Sequence, residues 1–184
     1  MAPRSPPRPT PPKRRPRPPP IYVYERRSAG RSVYFLSLLA PDDVVAAGGL
    51  HRAAVMGTNA SAVTLSTDSF LPNPLFLDLV HEVVAAVAHR VPPVARAAWF
   101  QRSGEMAIWD GRNLHRRETD EAEDVLGHVA VRDGAIVEGT YAANPDYTPI
   151  SARGLFRLPE LVFEALMERL RALRVPLVRL GGEH

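Results

Sequence analysis

Ten of the nineteen prolines in this 184-residue chain fall within residues 1–20, and that crowding divides the sequence before anything else does. A proline ring locks φ and removes an amide donor, so a segment that is half proline builds neither helix nor sheet and stays extended and solvated. The same residues carry Arg4, Arg8, Lys13, Arg14, Arg15 and Arg17 without one acid, whereas residues 21–184 hold 17 basic and 20 acidic side chains. The arm is therefore about +6 and the rest about −3, so the pI near 9.7 belongs to the arm. The sequence predicts a disordered, basic, proline-rich arm over 1–20 and a single folded domain over 21–184. A chain of the latter length removes roughly 70% of its unfolded surface from water, enough for a core of its own.

Charge alone says little about partners. Lys13 is the single lysine against 22 arginines, the bias of GC-rich coding. An anionic body repels phosphate, so nucleic acid would be held through Arg4, Arg8, Lys13, Arg14, Arg15 and Arg17 of the arm. The arm also fits basic PxxP ligand patterns at Pro9–Arg14 and Lys13–Pro19, matches that a proline-rich tract produces by chance. With no cysteine, disulfides, thiolate nucleophiles and cysteine-held metals lack ligand atoms. No apolar run approaches the roughly 20 residues needed to span a bilayer. Arg26-Arg27 with Val33–Ala40 superficially matches an export signal, but the run is eight residues and is closed by Asp42-Asp43.

Beyond the arm the patterns alternate between strand and helix. Ile21–Tyr24 and Val33–Leu39 flank Ser28-Ala-Gly30 as two paired strands. Pro41-Asp42-Asp43 opens a short helix that Gly48-Gly49 interrupts, and Ala62–Ser66 alternates like a third strand. Asn73-Pro74 caps a helix whose stripe is Phe76, Leu79, Val80, Val83, Val84 and Val87, with Asp78, His81, Glu82 and His89 on the polar face and Pro92-Pro93 as the stop. Ala97–Gln101 and Glu105–Asp110 read as a hairpin turning at Ser103-Gly104. A second hairpin turns at Asp133-Gly134 and sets Val131 opposite Ile136. From Pro159 to Arg174, Val162, Leu166, Leu170 and Leu173 form the stripe of a last helix. Strands and helices in this order predict an α+β fold, a mostly antiparallel sheet covered on one side by two main helices.

No motif names a reaction. His81-Glu82 begins an HExxH zinc pattern, but position 85 is alanine and His89 lies some 12 Å further along the axis. Five carboxylates crowd Glu118–Asp124 without the glycine and spacing of a calcium loop. Gly48-Gly49-Leu-His51 with Gly57 reads as a flexible connection, not a phosphate cradle, and Asn59-Ala-Ser61 fits the glycosylation sequon. The sharpest candidate is Trp109–Arg117, where an aromatic, a carboxylate, an imidazole and three guanidinium groups share nine residues. There Asp110 would orient His115 as a general base, and Trp109, Arg112 and Arg116 would bind an anionic ligand.

The leading expectation is a non-enzymatic binding or adaptor protein of the bacterial cytoplasm, a subunit of a larger assembly with a protein partner, needing neither cofactor nor metal. A small hydrolase centred on Asp110 and His115 is the alternative. A nucleic-acid-associated protein tethered by its arm is the third, and it would lose affinity steeply with salt.

Overall fold

A computed structural model of the chain describes residues 19–28, 31–112 and 122–175. The expectations for residues 1–18, His115, Arg116 and Glu118–Glu121 lie outside the described residues. The fold is α+β with antiparallel strands, and those strands divide between two four-stranded sheets and a small hairpin. In the first sheet, β1 (Tyr22–Ser28), β2 (Arg31–Ser37), β3 (Val55–Asn59) and β4 (Phe70–Pro72) lie in sequence order, with α1 (Pro41–Ala46) between β2 and β3. The hairpin read at Ile21–Leu39 is present, with Tyr24 opposite Phe35.

The third strand is β3, not Ala62–Ser66. Residues 60–69 form a loop in which Val63 is 93% exposed. Local bonds hold it: the Asn59 Nδ2 donates to the Ser61 and Thr64 carbonyls, and the Ser61 Oγ accepts from the amides of Val63 and Thr64. Side-chain bonds of this kind offer the backbone an alternative to a ladder. Gly57, close in sequence to the Gly48–His51 connection, lies inside β3, where a Cβ would run into the Phe70 ring and the Leu71 carbonyl.

α2 (Pro74–Val87) starts where Asn73 and Pro74 predict; the Asn73 Oδ1 accepts from the Leu75 amide at 3.2 Å. All six residues of its predicted stripe are buried. The helix touches β3, the later strand β6 and the last helix, so its apolar face joins both sheets in one cluster. Pro92-Pro93 does not merely stop it. Pro92 is the first residue of a new helix, α3 (Pro92–Gln101), so the strand expected over Ala97–Gln101 is helical. Proline at a first helical position followed by Ala95, Ala97 and Ala98 favours helix, and that local preference overrides the short apolar run.

The second sheet centres on β6 (Val125–Arg132), with β5 (Gly104–Trp109) on one side and β7 (Ala135–Ile136) and β8 (Ala142–Ala143) on the other. The turn at Asp133-Gly134 has φ of 52° and 80°, the positive pair a type I′ turn requires, and Val131 faces Ile136. β9 (Ile150–Ser151) and β10 (Gly154–Leu155) make the small hairpin. α4 (Glu160–Ala172) buries Val162, Leu166 and Leu170 against α2 and the core. No helix among the described residues is long and apolar enough to cross a membrane.

Candidate functional site

Along β5 the inward positions are Met106 and Ile108, and the next in the alternation is Asp110, which is 2% exposed. The strand thus carries a carboxylate into the interior. On β6, Ile108 pairs with Gly127 and Trp109 with Val125, leaving Leu126 as a bulge. A bulge bends the strand and re-aims the residues beyond it. Its carbonyl accepts from the Tyr141 hydroxyl at 2.8 Å and the Asn144 amide at 3.1 Å, which ties the residues on either side of β8 to the sheet.

Past β5 the Asp110 amide donates to the Asp124 carbonyl at 3.1 Å and the Gly111 amide to the Arg157 carbonyl at 2.6 Å. The Asp110 Oδ1 then accepts from the Arg112 amide at 2.9 Å, a turn that folds the arginine back over the carboxylate. The Arg112 side chain has no exposed surface. Its Nε lies 2.7 Å from the Asp110 Oδ2, and its Nη2 3.2 Å from the Asp124 Oδ1. It also donates to the carbonyls of Gly154 (3.1 Å), Glu123 (3.1 Å) and Thr148 (2.8 Å). Ser151 donates to the Asp124 Oδ1 at 3.2 Å, and the half-exposed Arg153 brings its Nε within 3.5 Å of the Oδ2. The Tyr147 hydroxyl points at the Asp110 Oδ2 from 3.4 Å, and its ring lies 5.7 Å from the Arg112 guanidinium.

Two buried carboxylates thus share one buried guanidinium. Burial pushes the Asp110 carboxyl up to about 6; the Arg112 charge and amide pull the other way, and the nearby Asp124 raises it further. Burial, then the charge of Asp110, holds the Tyr147 hydroxyl well above its ordinary range, so it stays a donor. His81 adjoins this cluster. Its Nδ1 is 2.8 Å from the Tyr141 oxygen, and because that hydroxyl gives its hydrogen to the Leu126 carbonyl, Nδ1 must carry the proton. The ring meets Tyr147 edge-on at 5.9 Å, and burial lowers its pKa. His81 therefore belongs to the interior network and not to a solvated face, while His89 is turned to Glu138, 3.8 Å away.

Of the residues read as a site from the sequence, Asp110 and Arg112 converge, as an interior clasp. Trp109 sits half-buried on the other face of β5, and His115 and Arg116 lie outside the described residues. Tyr147 and Ser151 carry no signal in the sequence, and Asp124 and His81, read as part of a carboxylate-rich stretch and of a polar helix face, belong to the interior network. The alternation Met106, Ile108, Asp110 was the available signal that the carboxylate points inward; nothing local announced its distant partners. The Asn59 side chain of the sequon is buried and donates inward.

A second feature lies on the surface. Trp99 and Phe100, at the end of α3, are 56% and 77% exposed, while Ala98 beside them is buried. Trp99 is fixed from two sides. The Arg102 guanidinium lies 4.3 Å from its ring centroid, and Gly134 at the β6–β7 turn packs so close that a Cβ there would come within 3.2 Å of the ring edge. Arg96 precedes Phe100 by one helical turn and, like Arg102, makes no ion pair among the described residues. Comparison of the chain with models of known families, with curated proteins and with solved structures returns no match.

Proposed function

We propose that this protein is a binding or adaptor protein, a subunit of a larger assembly, and that it engages a protein partner through the end of α3. The observation that carries this reading is the adjacent pair Trp99 and Phe100, uncovered on a helix whose other face is anchored in the core. Large aromatics and arginine dominate the energetics of protein interfaces, and a preordered anchor loses little side-chain entropy on binding. Arg102, stacked on Trp99, preorders that ring. The other exposed large apolar side chains among the described residues, Val63, Val45 and Leu71 foremost, are all aliphatic and offer no aromatic anchor.

A photoreactive amino acid placed at position 100 in the producing cell tests the proposal. One discrete cross-linked product is expected, lost when Trp99→Ser is added and absent when the label sits at position 63. Products that are equally abundant from position 63, or none from position 100, would refute it. Once the partner is isolated, Trp99→Ala should weaken its binding by about tenfold or more, the effect of truncating an aromatic hot spot.

The hydrolase reading draws support from the raised pKa of Asp110, since perturbed carboxylates gather at active sites. Structural ion pairs perturb carboxylates equally, and Asp110 is closed in by Arg112 and Tyr147. His115→Ala separates the two readings. It abolishes turnover in a hydrolase and leaves the cross-link at position 100 unchanged in an adaptor.

A further inference from the structure

On the side of the molecule where the described chain begins, a groove of about 310 Å³ runs between the start of β1 and α4. Tyr22 and Phe163, both half-buried, form its walls, and Met167 lies at its base. Its rim is anionic. Glu164 borders it, and Glu160 and Glu168 stand one helical turn to either side, Glu168 also bordering the neighbouring groove between α4 and α2; all three are exposed and without an ion pair among the described residues. Asp43 adds a further carboxylate, met by the Arg171 guanidinium at 3.4 Å. Aromatic walls with an acidic rim are what a basic proline-rich peptide requires, since its rings pack on aromatic faces and its arginines pair beside them.

This chain carries such a peptide at the mouth of the groove. Pro20 is itself one of the lining residues, and the residues before it hold six cations, no acid and a proline at about every second position. A polyproline helix repeats every three residues at about 3.1 Å each. In that conformation Arg8, Arg14 and Arg17 share one ridge with Pro20, and Arg14 and Arg17 stand about 9 Å apart. The row Glu160–Glu164–Glu168 is about 12 Å long at 1.5 Å per residue, a span the flexible arginine side chains match. We propose that the N-terminal arm is the ligand of this groove, its prolines lying against Tyr22 and Phe163 and its arginines along the glutamate row of α4. The tether raises the arm's effective concentration, so contacts too weak to hold a free peptide suffice here.

The full chain tests this directly, because it has no cysteine and four methionines. A nitroxide is attached at Thr10→Cys, and the methyl signals of isotope-labelled methionine are recorded. Met167 should be attenuated severalfold while the core residues Met56 and Met106 are not, and both Glu164→Lys and high salt should restore it, as screening of exposed charges requires. Equal intensities at Met167, Met56 and Met106, or attenuation that survives Glu164→Lys, would overturn the proposal. A sample mixing nitroxide-bearing unlabelled chains with isotope-labelled chains bearing no nitroxide checks the intramolecular form. Attenuation of Met167 there, as strong as in the single species, would place the arm on a second copy and overturn docking in cis.

Discussion

Replacing Arg112 by methionine keeps much of the side-chain volume and removes the charge that two buried carboxylates share. In the wild type the guanidinium sits 2.7 Å from Asp110 and 3.2 Å from Asp124, and it donates to three carbonyls from two separate segments. Without it both carboxylates remain out of water with no buried cation between them, while the partly exposed Arg153 lies 3.5 Å from the Asp124 Oδ2. Removing one partner of a buried ion pair costs about 3–5 kcal/mol, largely for the charge left behind. Against a total stability of about 5–15 kcal/mol that is a large fraction. With a urea m-value of about 2 kcal/mol/M, the midpoint of Arg112→Met should fall by roughly 2 M. Urea unfolding followed by tryptophan fluorescence suits the measurement, since half-buried Trp109 adjoins Asp110. Adding Asp110→Asn and Asp124→Asn to Arg112→Met should recover much of the loss, because the stranded charges are gone. A single variant within about 1 kcal/mol of wild type, or a triple variant no more stable than the single, would refute the shared-cation account.

Asp110 also gives the fold a pH dependence of definite sign. Its pKa rises from 3.8 to about 6 on folding, so its contribution is fully present below 3.8 and is lost as pH climbs through about 6, by roughly 3 kcal/mol. Asp110→Asn should remove that decline in denaturant titrations between these limits; His81, whose lowered pKa acts in the opposite direction, is common to both proteins and cancels in the comparison. Gly127→Ala sets a methyl against the Ala142 carbonyl and, at 2.8 Å, the Tyr141 ring, and should cost about 3 kcal/mol, read as a melting temperature lower by roughly 6–10 °C. Asn73→Ala should lose about 1–2 kcal/mol in the same assay, and Asn73→Asp no less, because aspartate keeps the cap to Leu75 but turns a carboxylate oxygen on the Arg52 and Val55 carbonyls to which the Nδ2 donates.

The elements that could be read in advance are those whose signals are local. The stripe from Phe76 to Val87, its Asn73-Pro74 start, and the Asp133-Gly134 turn each depend on spacings of a few residues, and each is present. The last helix is also present, from Glu160 to Ala172. Elsewhere one local signal outweighed the one that was read. Ala97–Gln101 suits strand by its aromatics and helix by its alanines, and the proline start decides. Val55–Asn59 does not alternate conspicuously, yet it is a central strand because Phe70 covers Gly57. The division into two sheets was not legible, since it depends on α2 meeting β3 on one side and β6 on the other. The same holds for the clasp. Asp110 and Arg112 are neighbours in the sequence, but Asp124, Tyr147 and Ser151 reach them only through the bulge at Leu126 and the return of the chain after β8.

The Arg112 bond to the Glu123 carbonyl joins the two ends of the stretch numbered 113–121 at its base. Closure there is shared with the Asp110 amide, which donates to the Asp124 carbonyl, and with the pairing of Trp109 and Val125. With three ties at one root, β5 should keep its register against β6 when any one of them is lost.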